Sequence, residues 1–248
     1  MKNFPVKYQI YNLTEAISAT AVNDTFRIEL LETWKYLIGI AFVSRAGAGV
    51  DNYLTISDNF KTIFDKAPIK IFTKSFRDIS KNNICMPMNI PAEGNIIEIL
   101  FQGATVTTAY DIDVIFVLSN EKQDITEYNF QTKKITVPGS TVVGTSLDLA
   151  TVRLNSSFEE VVGFLINKSL TYNVRASVKD ASGNYLLDPL DSRILELNTT
   201  DTLGYKESFF PVNFKSNQQV TLEIKLLTAL IAALDIDVVF LLKNRTTK

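Results

Sequence analysis

The twelve residues Ala109–Asn120 read AYDIDVIFVLSN, and the twelve residues Ala233–Asn244 read ALDIDVVFLLKN. Eight of the twelve positions are identical, in the pattern A-x-D-I-D-V-x-F-x-L-x-N. The second stretch starts 233 − 109 = 124 residues after the first, which is half of the 248-residue chain. A line repeated at half the chain length points to an internal duplication.

The same offset recurs away from the best match. Asp24 matches Asp148 and Leu30 matches Leu154. Gly39 in LIGIAF matches Gly163 in VVGFLI, and Pro87 and Asn89 in PMN match Pro211 and Asn213 in PVN. Asp111, Ile112, Asp113 and Val114 then match Asp235, Ile236, Asp237 and Val238. Between these anchors the copies drift, and IIEIL (96–100) fits TLEIK (221–225) better one residue out of step. An insertion with a compensating deletion accounts for that. Two copies are too few for a solenoid, whose repeats need stacked neighbours on both sides. The spacing therefore predicts two related domains, 1–124 and 125–248.

The local pattern is mostly β. VTTAYDIDVIFVLS is rich in β-branched and aromatic residues, and LTYNVRASVKD (170–180) alternates before the turn ASGNY. RAGAGVDN (45–52) reads as a loop. LLTALIAAL (226–234) looks helical by propensity. Its partner FQGATVTTAY (101–110) looks like strand, so both are expected to be strands. A 124-residue unit has room for roughly eight short strands, as in a sandwich or barrel. Two helices are expected: SDNFKTIFDKAP (57–68), capped by Ser57 or Asp58 and stopped by Pro68, and the short NLTEAIS (12–18) with its Asn-x-x-Glu cap.

Composition narrows the function classes. A net charge of −2 argues against wholesale nucleic-acid wrapping, which needs a basic face, and leaves a local basic patch open. The opening MKNFPVKYQIYNLTEAI has no apolar signal stretch, so no leader is expected. The most apolar segment, 220–242, carries Glu223, Lys225, Asp235 and Asp237, too many charges for a membrane span. The lone Cys85 forms no intrachain disulfide and reads as a small hydrophobe. Six N-x-S/T sequons, among them Asn12, Asn155 and Asn198, are read as chance in an Asn- and Thr-rich chain.

Candidate sites are few. The chain has no histidine, which removes the commonest general base and zinc ligand together with Ser-His-Asp and Cys-His chemistry. Carboxylate-pair hydrolysis stays open, because sequence cannot place two carboxylates across a cleft. The paired carboxylates Asp111/Asp113 and Asp235/Asp237 share a strand face. They suit either a cation or a structural role at a strand entry, and the structural role is preferred because no calcium-loop spacing follows. Trp34 falls opposite Phe158 in the repeat, as a repeated core would give. The mildly basic ends, Lys2 and Lys7, then Lys243, Arg245 and Lys248, read as solvated tails. No catalytic residue, metal or cofactor is expected. Gly39, Gly163, Pro87, Pro211, Asp111, Asp113, Asp235 and Asp237 are expected to be structural anchors.

Two tandem all-β sandwiches related by duplication, carried by Gly39/Gly163, Pro87/Pro211 and Asp111/Asp235, resemble the double jelly-roll major capsid proteins of tailless icosahedral viruses, the lineage of membrane-containing bacteriophages and adenovirus. The resemblance implies two tandem jelly rolls and a homotrimer whose six sandwiches form a pseudo-hexamer in an icosahedral shell. It further implies penton and minor capsid proteins as partners, with an internal membrane in some members, no specific nucleic-acid binding, and a place in the virion after synthesis in the host cytoplasm. The alternative is a tandem β-sandwich binding module, such as a spike, penton or carbohydrate- or receptor-binding protein.

Overall fold

A computed structural model of the protein describes residues 5–15, 20–44, 52–59, 61–69, 86–103, 109–122, 128–168, 172–196 and 209–244. The described residues up to Asn129 form one compact unit, and those from Phe130 onward form a second. The first unit contains β1 (Val6–Glu15), β2 (Val22–Glu29), β3 (Tyr36–Ser44), β4 (Asn52–Ser57), β5 (Thr62–Pro68), β6 (Met86–Pro91), β7 (Ile96–Gly103) and β8 (Tyr110–Ser119). The second unit is built from β9 (Tyr128–Val137), β10 (Ser146–Arg153), β11 (Glu160–Lys168), β12 (Val174–Lys179), β13 (Tyr185–Asp191), β14 (Phe210–Lys215), β15 (Gln219–Leu226) and β16 (Leu234–Lys243). The single turn α1 (Ser192–Leu195) follows β13; Asp191 caps it by accepting from the Arg193 amide.

In the first unit the strand orders are β1-β8-β3-β6 and β2-β7-β4-β5. Pairing is antiparallel and nested: β1 with β8, β2 with β7, β3 with β6, β4 with β5. A long hairpin rolled in this way is a jelly roll. In the second unit the orders are β9-β16-β11-β14 and β10-β15-β12-β13. Every strand of the first unit has its counterpart eight strands later, in the same place.

Alternation explains the strands. β7 and β15 bury every second residue: Ile97, Ile99 and Phe101 in one, Val220, Leu222, Ile224 and Leu226 in the other. Ile112, Val114, Phe116 and Leu118 of β8 are fully buried, as are Ile236, Val238 and Phe240 of β16. Each such side chain contributes roughly 1.5–3 kcal/mol on leaving water. The other faces of these strands are covered too: Val117, Val239 and Leu241 are all buried. So β8 and β16 begin half-exposed at Asp111 and Asp235 and run into places closed on both sides.

Several sequence expectations change. Residues 57–68 are a hairpin, not a helix: β4 ends at Ser57 and β5 begins at Thr62. The Asp58 side chain accepts from the Lys61 amide at 2.7 Å, and the Asp58 amide donates to the Lys61 carbonyl. The residue taken for a helix cap therefore closes a turn, a competition open to Asp in both settings. Asn12–Glu15 belong to β1, where Asn12 pairs with Asp113; residues 16–18 of that expected helix lie outside the described residues. Leu226 ends β15 and Leu234 opens β16, so the segment between them is a loop rather than the expected strand. Its backbone is satisfied by another loop: Ser140 donates to the Leu230 carbonyl and Leu230 to the Thr141 carbonyl. Leu230 is buried while Ile231 is 88% exposed. In the matching segment, 101–103 end β7 and 104–108 lie outside the described residues. The expected loop 45–52 also lies outside them, apart from Asn52, the first residue of β4.

The drift between copies is localised. β6 and β14 start 124 apart, at Met86 and Phe210, whereas β7 and β15 start 123 apart, at Ile96 and Gln219. The turn Ala92–Asn95 is replaced by the shorter Ser216–Gln218, and the residue is regained before β16. Glu98 and Glu223, which align in the sequence comparison, are therefore not at equivalent strand positions.

Candidate functional site

The repeated anchors meet one another. Gly39 of β3 lies opposite Pro87 of β6 and Val117 of β8. Gly163 of β11 lies opposite Pro211 of β14 and Leu241 of β16. A β-bulge precedes each glycine, between Leu37 and Gly39 and between Val161 and Gly163. A Cβ at Gly163 would come within 2.7 Å of the Phe209 Cβ and 3.0 Å of the Leu241 Cβ. The proline opposite supplies no N–H, which suits an outermost strand. Gly and Pro thus recur together at equivalent bulges.

The carboxylate pairs take different partners in the two copies. Asn12 of β1 donates its Nδ2 to Asp111 Oδ1 at 2.5 Å and to Asp113 Oδ1 at 2.9 Å. In the second unit, Thr136 of β9 donates to Asp235 Oδ1 at 2.6 Å, and Lys134 Nζ lies 3.0 Å from Asp235 Oδ2. The Thr136 hydroxyl, then the lysine, lowers the Asp235 pKa against the opposing effect of burial. Asp237 is buried and accepts from Asn167 Nδ2 of β11 at 3.2 Å. Each carboxylate thus holds a neighbouring strand. Among the described residues, no three Cys, Asp or Glu side chains gather as a metal group. Trp34 and Phe158 are half-buried in equivalent turns, their amides donating to the carbonyls of Leu31 and Asn155. Lys7 is exposed and Lys243 lies 3.9 Å from Glu160; Cys85, Lys2, Arg245 and Lys248 lie outside the described residues.

Two arrangements escape the sequence reading. The first is a repeated glutamine clamp. Gln9 of β1 donates to the Glu29 carbonyl at 2.8 Å and accepts from the Leu31 amide at 3.1 Å. Gln131 of β9 donates to the Arg153 carbonyl at 2.9 Å and accepts from the Asn155 amide at 2.9 Å. Each pins the end of one sheet's strand to the other sheet. The signal is an aromatic-Gln-x-x-x-aliphatic-Thr repeat, Tyr8–Thr14 and Phe130–Thr136, but at an offset of 122 rather than 124.

The second is a polar network on the outer face of β10, β15, β12 and β13. Glu223 accepts from Ser146 at 2.8 Å, Ser177 at 2.8 Å and Tyr185 at 3.2 Å, with Lys179 Nζ 3.2 Å away. Lys179 also lies 5.3 Å above the Tyr185 ring. Burial pushes the Glu223 pKa up, but hydrogen bonds from Ser177, Ser146, Lys179 and Tyr185 outweigh it and hold it at about 2. The hydrogen bond to Glu223 raises the Lys179 pKa in turn. A carboxylate held ionised and an amine held protonated make a poor acid and a poor base near neutrality. Their chemistry here is to tie four strands together. Register creates the network, since Ser177 lies opposite Glu223.

The arrangement defines a tandem jelly-roll protein whose conspicuous polar groups hold strands. No protein-family model matches the chain, and no curated protein matches it. Among solved structures, it is similar to the major capsid protein of Sulfolobus turreted icosahedral virus, covering 95% of this chain and 97% of that one at 10% identity and a TM-score of 0.49. It is also similar to the major capsid protein P2 of bacteriophage PM2, over 97% and 99% of the two chains, at 10% identity and a TM-score of 0.46. Peptide:N-glycanase F is similar over 96% of each chain, at 10% identity and a TM-score of 0.40. Likenesses this remote carry no argument about what the chain does.

Proposed function

We propose that the chain is a capsid protein, whose copies join as homotrimers and present six similar sandwiches as a pseudo-hexameric block of an icosahedral shell. The observation that supports this reading is the duplication itself. The two jelly rolls repeat strand order, bulge and the Gly–Pro pairing across it. A threefold oligomer of such a chain has near-sixfold geometry, which tiles a closed surface. Penton and minor capsid proteins and an internal membrane are the partners this reading expects, with synthesis in the host cytoplasm before incorporation into the virion. The reading assigns no catalytic role to Glu223 or to the paired aspartates. Light scattering on the purified chain tests it: the expected mass is three times 27.8 kDa, and a monomer at every concentration would overturn it.

A further inference from the structure

Glu223 and the paired aspartates hold strands; one corner of the second unit is different. There the turn before β11 meets the turn between β14 and β15 around a cavity of about 580 Å³. Phe158 lines it. This half-buried ring packs against the core, which leaves its remaining surface towards the cavity. Ser156, Asn213, Lys215 and Asn217 line the cavity too. All four are exposed, and their side chains make no hydrogen bond or ion pair with the described residues. Asparagines elsewhere bond to the chain itself: Asn12 to Asp111, Asn95 to the Pro91 carbonyl, Asn167 to Asp237 and Asn184 to Asp180.

The backbone of this corner is pinned. The Ser216 amide donates to the Glu159 carbonyl at 3.1 Å, the Ser216 hydroxyl donates to the Phe158 carbonyl, and the Glu159 amide donates to the Lys243 carbonyl at 3.2 Å. A preformed cavity of this size falls within the range of small-molecule sites, about 300–1,000 Å³. Its charges nearly cancel. Two carboxylates, Glu159 and Glu160, line it, while Lys215 lies opposite Glu160 across the β11–β14 pair and Lys243 Nζ is 3.9 Å from Glu160. The first unit has the same corner, where the Ala92 amide donates to the Lys35 carbonyl at 2.9 Å. It carries Pro91, Lys35 and Tyr36 where the second carries Lys215, Glu159 and Glu160. This polar lining is therefore the second unit's own.

We infer that this corner of the second unit binds a neutral saccharide. A sugar ring has an apolar C–H face, which suits the open side of Phe158, and a rim of hydroxyls that both donate and accept. Asn213 and Asn217 offer both kinds of group, Lys215 donates, and the two glutamates accept. An anion would meet two carboxylates, a cation would meet Lys215, and a purely apolar ligand would leave the polar lining unpaired. The inference needs one copy of the chain only, so it stands or falls apart from the capsid reading.

The test is an array of neutral, sialylated and sulfated saccharides probed with the full chain, followed by calorimetry with the neutral saccharide retained most strongly. Asn213→Ala and Asn217→Ala should each weaken binding roughly 2- to 10-fold, the worth of one hydrogen bond. Phe158→Ala should weaken it about 10-fold by removing the stacking surface. Ile231→Lys, at an 88% exposed loop position outside this corner, should bind as wild type does. Retention of no neutral saccharide, a preference for the sulfated ones, or unchanged binding by N213A and N217A would overturn the inference. If F158A does not fold, the two asparagine variants decide, because neither side chain is bonded to the described residues. A wild type that is monomeric yet binds the saccharide would overturn the capsid reading and leave this one standing.

Discussion

Gly163 lies directly opposite Pro211 across the β11–β14 pair, as Gly39 lies opposite Pro87 across β3 and β6. The glycine is required by space: a methyl group at 163 would push into Phe209 and Leu241. Gly163→Ala should therefore destabilise the second unit by about 1–3 kcal/mol, the usual range for overpacking. Thermal melting measures this; an unchanged midpoint would mean that Phe209 shifts without cost.

Glu223 should make stability depend on acid. Its folded pKa of about 2 lies below the ordinary 4.5. Its stabilisation is then complete above about pH 4.5 and is lost as pH falls towards 2. Urea unfolding at pH 5 and pH 3 should show a steeper loss for wild type than for Glu223→Gln. Equal slopes would show that Glu223 is not held as described.

Asn167 and Asp237 form a buried pair. Asn167→Ala removes one donor to a buried carboxylate, at a cost of about 1–3 kcal/mol. Asp235 and Lys134 are far more exposed, so Lys134→Ala should cost about 1 kcal/mol or less. Chemical denaturation of the two variants should rank them in that order.

The carboxylate pairs should behave as strand fasteners. Asp111→Asn combined with Asp235→Asn should lower the melting temperature equally with and without calcium. A calcium-dependent rise in wild type that disappears in the double variant would identify a cation site instead.

Much of this fold is legible in the sequence because the duplication is written where register is tightest. β3, β6 and β8 lie in one sheet and carry Gly39, Pro87 and Asp111, and their counterparts keep the 124-residue spacing. β1 and β4 recur at 122, because intervening loops change length while strand pairing does not. The glutamine clamp sits on β1 and escapes a fixed-offset comparison for that reason. The Glu223 network is illegible for a different reason: Ser146, Ser177, Lys179 and Tyr185 come together only through strand register. The hairpin at Asp58 and the loop after Leu226 mislead because Asp caps turns as well as helices, and because one loop's backbone can be satisfied by another loop.

Electron microscopy of the purified, concentrated chain shows whether copies of this protein build a shell. Blocks of threefold symmetry with six similar lobes, two from each chain, should associate side by side into curved shells. Single two-lobed particles at every concentration, with no threefold block, would contradict it.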